Sequence, residues 1–149
     1  MKVGKVIAQP VWRLPETISP GNLGSSIANS LYEREGAMNG FEEKAIIELS
    51  SLSNIDFWHR NNSRKGFAIN GFKSNHYPDF ILVTKSGNVV LLETKGDYLD
   101  GTDSRAKCRL GNQWQQLSGP GFSYFMVFES KPIDGAYTVT KAREMIGML

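Results

Sequence analysis

Residues 77–96, with the sequence YPDFILVTKSGNVVLLETKG, constrain the fold more than any other stretch. Two apolar runs, 80–83 and 89–92, are separated by residues 85–88, whose Gly and Asn are typical of a hairpin turn. We therefore predict two neighbouring strands. Because side chains alternate across a strand, Glu93 and Lys95 should leave one face of the second strand and Thr94 the other. Asp79 opens the first strand.

Composition sets the class of protein but not its activity. The 149 residues suit one domain, and 40% hydrophobic with 11% aromatic residues is typical of a globular chain. A net charge of +2 is too small to identify a nucleic-acid-binding protein by itself. Cys108 is the one cysteine, so the chain has no internal disulfide and no zinc-binding spacing. Without a predicted signal peptide or membrane span, we expect a cytoplasmic protein with no membrane partner.

Hydrophobic periodicity predicts an α/β domain. The first 30 residues contain Pro10, Pro15 and Pro20 and are predicted to be an arm or linker. The elements expected after them are a helix at 41–52, strands at 54–58, 80–83 and 89–95, a helix at 104–117, a strand at 124–128 and a closing helix at 138–149. Ser104 is the expected N-cap of the middle helix. We therefore predict a mixed sheet of about four strands, flanked by helices, in the core order αβββαβ.

Glu42 has two interpretations. It falls inside the apolar stripe that Phe41, Ala45 and Leu49 form along the first predicted helix. A carboxylate on the core side of a helix needs a partner or a metal, which favours a site residue. An acidic residue in the first turn is also favoured by the helix dipole alone.

Basic residues without opposing acids follow the first predicted strand. Residues 57–78 contain four basic residues, two histidines and no acidic residue. Such a segment produces a local positive field that attracts a phosphate backbone, although a solvated basic loop would have the same composition. The candidate nucleic-acid contacts are Arg60, Arg64, Lys65 and Lys73, together with Lys107 on the following helix. His59 and His76 are interpreted as flanking polar residues.

Pro78-Asp79 before one strand, Glu93-x-Lys95 on the next, and a preceding helix with Glu42 form a PD-(D/E)XK arrangement. This arrangement resembles the restriction-endonuclease-like nuclease superfamily. A closer resemblance covers residues 31–129 and is to the C-terminal nuclease domain of type III restriction enzymes and related DEAD/DEAH helicase-nucleases. The stretches that carry it are LYERE (31–35), NGFE (39–42), WHRN (58–61), YPDF (77–80), ETKGD (93–97), LG (110–111) with Trp114, and YFMVFE (124–129).

The resemblance implies a restriction-endonuclease-like core over residues 31–149 and roles for four side chains. Asp79 and Glu93 would bind Mg²⁺, which Mn²⁺ could replace, with the Thr94 carbonyl as a further ligand. Two carboxylates suffice, because Mg²⁺ keeps several of its waters. Glu42 would hold a water of the metal shell or a second ion. Lys95 would orient the attacking water and the scissile phosphate. Asp97, Asp100 and Asp103 are interpreted first as loop and cap residues.

The function implied is a Mg²⁺-dependent DNA endonuclease of a restriction or helicase-nuclease system. Its partners would be DNA, a helicase motor on the same polypeptide, and a methylation subunit that supplies sequence specificity. No phosphate-binding loop occurs in this chain, so it would be an excised domain or a free-standing relative. Two alternatives stay open, a non-catalytic DNA-binding or docking module on the same fold, and a nuclease selective for branched structures.

Overall fold

A mixed five-stranded sheet flanked by helices forms the domain. The computed structural model describes residues 14–17, 21–71, 74–96 and 101–149. In chain order the elements are α1 (Gly40–Ser50), β1 (Ile55–Arg60), β2 (Phe80–Thr84), β3 (Val89–Lys95), α2 (Gly101–Ser118), β4 (Phe122–Phe128), β5 (Tyr137–Thr138) and α3 (Val139–Ile146). The predicted α/β class with helices flanking a mixed sheet is confirmed. The sheet has five strands rather than about four, because the two-residue β5 pairs at one edge.

The strands lie in chain order, β1-β2-β3-β4-β5. β1 pairs with β2, and β2 with β3, in antiparallel orientation, so the predicted hairpin at 77–96 is confirmed. Gly87 has a φ of 91° in its turn, which a residue with a side chain rarely adopts. β3 and β4 are parallel, and α2 makes the crossover between them.

Two hydrophobic cores lie on the two faces of the sheet. α1 and α3 cover the face formed by Leu82, Leu92 and Val127. α2 covers the face formed by Ile81, Leu91 and Met126. β3 is therefore buried on both sides, which explains its nearly continuous apolar sequence.

The helices differ in how their first turns are capped. α1 begins after Asn39, whose side chain accepts a hydrogen bond from the Glu42 backbone while the Glu42 carboxylate accepts one from the Asn39 backbone. Thr138 caps α3 at the predicted position. The prediction that Ser104 caps α2 is wrong, because α2 begins at Gly101 and Ser104 is buried inside its first turn. A small side chain at that position lets α2 pack closely on the sheet.

The described end of the predicted arm packs along β1. Trp58 donates its backbone N–H to the Asn29 carbonyl at 3.0 Å and accepts from the Leu31 N–H at 2.8 Å. Its indole N–H donates to the Ala28 carbonyl at 2.8 Å. The outer edge of β1 is thus covered rather than open to another chain. The division at residue 30 stays a prediction. In the described part of the chain, no helix has the length and apolar character needed to cross a membrane.

Candidate functional site

The pairing of β2 with β3 brings Asp79, Glu93 and Lys95 to one end of the sheet. Phe80 pairs with Leu92, so the residue before β2 lies beside the end of β3. Glu93 and Lys95 share a face of β3, as alternation predicts. The pairing of β2 with β3 therefore brings together residues that are 14 to 16 positions apart in the chain.

Asp79 is fixed by Thr94. Its Oδ2 accepts a hydrogen bond from the Thr94 backbone N–H at 2.7 Å and another from the Thr94 hydroxyl at 2.8 Å. The Asp79 carbonyl accepts from the Asn61 N–H at 2.8 Å. The carboxylate is thus held against the backbone next to Glu93, with both donors directed at one of its two oxygens.

Glu93 is buried and only half satisfied. Its Oε1 lies 2.6 Å from Nζ of Lys95. The residue is only 3% exposed, and its Oε2 is buried with no hydrogen-bond partner among the described residues. A buried carboxylate oxygen without a donor is costly when ionised, so this atom calls for an explanation such as a proton, a water or an ion.

The charges at this end of the sheet would not balance if Asp79 and Glu93 were both ionised. The pKa of Glu93 is raised to about 8, mainly by burial and further by the negative charge of Asp79, against the opposing effect of the Lys95 ammonium. Burial alone would lower the pKa of Lys95, but the charge and hydrogen bond of Glu93, together with the charges of Asp79 and Asp103, raise it above its usual value, so Lys95 stays protonated. Two carboxylates thus face one ammonium. A proton or a cation would supply the missing positive charge.

His76 and Tyr124 form a buried polar pair next to the candidate site. His76 Nε2 lies 2.8 Å from the Tyr124 hydroxyl, and both residues are almost fully buried. The pKa of His76 is lowered to about 4, mainly by burial and to a lesser extent by the charges of Lys107 and Lys95. Burial raises the pKa of the Tyr124 hydroxyl well above its usual value. His76 is therefore neutral and links the segment before Asp79 to β4, a role that the sequence interpretation missed.

Gly111 allows α2 to approach this pair. A Cβ at this position would lie 2.2 Å from the Tyr124 ring, so no larger residue fits without moving the helix. A glycine in the middle of a helix, at the spacing of buried residues, was the available sequence signal.

Asn61 is a second residue that the sequence interpretation missed. Its buried side-chain amide donates to the carbonyls of Phe67, at 2.7 Å, and Pro78, at 2.8 Å. Its Oδ1 accepts from the Phe67 N–H at 2.8 Å. A polar residue directly after a buried strand was the only sign of this role.

The structure places Glu42 and Arg60 together. Glu42 Oε2 accepts from the Asn39 N–H at 3.0 Å and lies 3.4 Å from Nη2 of Arg60. Nη1 of Arg60 also donates to the carbonyls of Gly36 and Ala37. In the described part of the chain Glu42 makes no hydrogen bond to Asp79 or Glu93; its contacts are with Asn39, at the start of α1, and with Arg60.

The other predicted basic contacts differ in their surroundings. Arg64 and Lys65 are exposed. Lys107 forms an ion pair with Asp103 at 2.9 Å, one turn apart on α2. Lys73, Asp97 and Asp100 lie outside the described residues.

The donor set fits Mg²⁺ or Mn²⁺ better than a softer metal. Within the described ranges no three His, Cys, Asp or Glu side chains cluster as a metal site. Two carboxylates and one carbonyl, from Asp79, Glu93 and Thr94, are sufficient for an ion that retains water ligands. The buried Oε2 of Glu93, which has no hydrogen-bond partner among the described residues, is the atom that a bound cation or a proton would satisfy.

Comparison of the chain with protein-family models, curated proteins and solved structures found no significant match.

Proposed function

We propose that this chain is a Mg²⁺-dependent DNA endonuclease domain that hydrolyses phosphodiester bonds on a restriction-endonuclease-like core. One observation carries the proposal: Glu93 Oε2 is buried beside Asp79 and Lys95 and has no hydrogen-bond partner in the part of the chain that the structure describes. Two carboxylates and a lysine, held at the end of two strands, offer a seat for a divalent cation and a positive charge for a phosphate.

Each side chain has a task in that reaction. Asp79 and Glu93 would hold the cation, and the hydrogen bonds from Thr94 keep Asp79 in place. Lys95, which stays protonated, would act as a fixed positive charge that orients the phosphate and the attacking water rather than as a base. When bound, the cation would lower the pKa of a coordinated water and neutralise charge on the phosphate.

The chemistry is a displacement at phosphorus. The oxygen of a water forms a bond to phosphorus, and the bond to the leaving oxygen of the sugar breaks. The leaving oxygen takes up a proton and the water loses one, so the reaction needs no oxidant or further co-reactant. The buried walls of the site around Glu93 strengthen the attraction of Lys95 for the phosphate.

By the same proposal, the domain works with larger partners. DNA is the substrate, a helicase motor on the same natural polypeptide delivers it, and a methylation subunit recognises its sequence. These partners follow from the resemblance to the nuclease domains of type III restriction enzymes. An isolated domain of this kind should nick DNA without sequence preference.

The test is nicking of supercoiled plasmid with Mg²⁺ or Mn²⁺. Asp79→Asn should abolish nicking, because the amide accepts the Thr94 hydrogen bonds but binds a cation weakly. Asp56→Asn, an exposed change at the other end of β1, is the matched control and should nick at the wild-type rate. Nicking that survives Asp79→Asn would disprove this site.

A second candidate is a non-catalytic DNA-binding module on the same fold. Exposed Arg64 and Lys65, for which the described residues provide no ion pair, favour it. Duplex binding that chelator leaves unchanged, together with no nicking under either metal ion, would select the binding module over the nuclease.

A further inference from the structure

The turn after β1 carries two exposed cations close to the candidate site. Arg64 and Lys65 are exposed, and neither has an ion-pair partner in the described part of the chain. Three other cations around the candidate site differ, since each is paired with a carboxylate: Arg60 with Glu42, Lys95 with Glu93 and Lys107 with Asp103. The turn therefore presents positive charge that the protein itself does not neutralise.

The turn has a fixed shape. The Asn62 carbonyl accepts hydrogen bonds from the Lys65 N–H at 3.2 Å and the Gly66 N–H at 2.7 Å. A Cβ at Gly66 would lie 2.2 Å from Oδ1 of Asn61, so the turn closes tightly on that buried amide. Arg64 has a φ of 65°, in the left-handed region that non-glycine residues rarely adopt. Surroundings that hold a residue in this conformation limit the positions that its side chain can reach.

Asn61 ties this turn to the site. Its side chain bridges Phe67, which follows the turn, to the Pro78 carbonyl, and its backbone N–H donates to the Asp79 carbonyl. One residue thus fixes the basic turn and the peptide that carries Asp79.

The strand order sets the distance between the end of β1, where the turn begins, and the site. β1 lies two strand positions from β3, which corresponds to about 10 Å between the end of β1 and Glu93. A DNA strand advances about 3.4 Å for each phosphate along the helix axis. The turn begins at the end of β1, so its cations would meet phosphates that flank one held at the site.

We propose that the turn at residues 62–66, held by Asn61, is a contact surface for DNA phosphates that flank the one being cleaved. Arg64 would bind a phosphate through its planar guanidinium, and Lys65 would act as a point charge. Contacts of this kind position DNA without recognising its sequence. The inference rests on the proposed function for the location of the cleaved phosphate, whereas binding at the turn needs neither Asp79 nor Glu93.

The test measures binding of a short DNA duplex, in the presence of a chelator, over a range of salt concentrations. The double variant Arg64→Asn with Lys65→Gln removes both charges, and asparagine tolerates the left-handed backbone. Each lost phosphate contact lowers the slope of log affinity against log salt by about 0.9, so the double variant should lower it by about 1.8. Lys85→Gln, in the exposed turn at the opposite end of the sheet, is the matched control and should keep the wild-type slope.

The outcomes separate this inference from the nuclease proposal. A slope reduced in the double variant but not in Lys85→Gln supports the contact surface, whether or not the protein cuts DNA. A wild-type slope in the double variant, an equal reduction in Lys85→Gln, or no duplex binding by the wild type would overturn it. If Asp79→Asn loses nicking while the double variant keeps the wild-type slope, the nuclease site is supported and only the proposed contact surface at the turn is rejected.

The charge-preserving variant Arg64→Lys with Lys65→Arg checks that charge, rather than the shape of the turn, determines binding. It should retain the wild-type salt slope. If it loses as much of the slope as the neutral variant, while thermal unfolding is unchanged, the proposed phosphate contacts are wrong.

Discussion

Lys95 Nζ lies 2.6 Å from Glu93 Oε1, and the other carboxylate oxygen of Glu93 is buried with no partner among the described residues. The ion pair thus provides a partner for only one oxygen of the Glu93 carboxylate, and burial makes this carboxylate difficult to ionise. Asp79, fixed from the adjacent strand, adds a second negative charge. A structural ion pair would not need this second carboxylate, whereas a cation-binding site would.

The neutral His76 should make stability depend on pH. Its pKa in the folded protein is about 4, below the ordinary 6.5, so the unfolded chain binds one more proton between these values. The stabilisation is therefore fully present above pH 6.5 and is lost as the pH falls through 4. The shift corresponds to about 3 kcal/mol. Urea unfolding at pH 7 and pH 4.5 should show a smaller pH effect in His76→Gln than in the wild type.

The Tyr124→Phe variant is the control for that measurement. It removes the hydrogen-bond partner of His76 but keeps the titrating imidazole, so its pH dependence should persist while its free energy of unfolding falls by about 1 to 3 kcal/mol. Glu93 titrates in all three proteins, and the difference between the curves isolates His76. Equal pH dependence in His76→Gln and wild type would show that His76 is not held neutral.

Gly111→Ala should destabilise the protein through a steric clash. The added Cβ would lie 2.2 Å from a carbon of the Tyr124 ring, so α2 would have to move from β4. Overpacking of this kind typically costs about 1 to 3 kcal/mol. Gly40→Ala is the control, because a Cβ there meets no atom within 4 Å and alanine favours a helix. Chemical unfolding that finds Gly111→Ala as stable as Gly40→Ala would contradict this contact.

Local rules were enough to predict the hairpin and the placement of Asp79, Glu93 and Lys95 at one end of the sheet. Alternation along β3 determines that Glu93 and Lys95 share a face, and the turn at Gly87 brings Asp79 beside them. The α1 stripe was also predictable, since Ala45 and Leu49 follow the helical period and are fully buried.

Contacts between distant residues could not be predicted in this way. Arg60 and Glu42 are 18 residues apart, and their pairing depends on how α1 lies against the end of β1. The role of Asn61 depends on the path of a loop that returns to Pro78, which no periodicity describes. Ser104 lies on the buried side of α2, inside the helix, which its preference for capping positions does not indicate.

Glu42 should contribute to stability more than to cleavage. Glu42→Ala removes the reciprocal cap of α1 and should cost about 1 kcal/mol in chemical unfolding. Glu42→Gln keeps an oxygen for the Asn39 N–H, so it should retain stability and nick plasmid near the wild-type rate. Glu43→Gln, at the next position of α1, controls for loss of charge. If Glu42→Gln stays folded but loses nicking while Glu43→Gln does not, the water-holding role predicted from the sequence is supported instead.

Mg²⁺ should stabilise the folded protein through Glu93. A ligand that binds only the native state adds about 2.7 kcal/mol when its concentration is a hundredfold above its Kd. Thermal unfolding with increasing Mg²⁺ should therefore shift upward for the wild type and for Asp56→Asn but not for Glu93→Gln. Lys95→Met should keep the shift, because both carboxylates remain, and should lose nicking, because the positive charge for the phosphate is gone. An equal shift in Glu93→Gln would place the bound cation elsewhere in the protein.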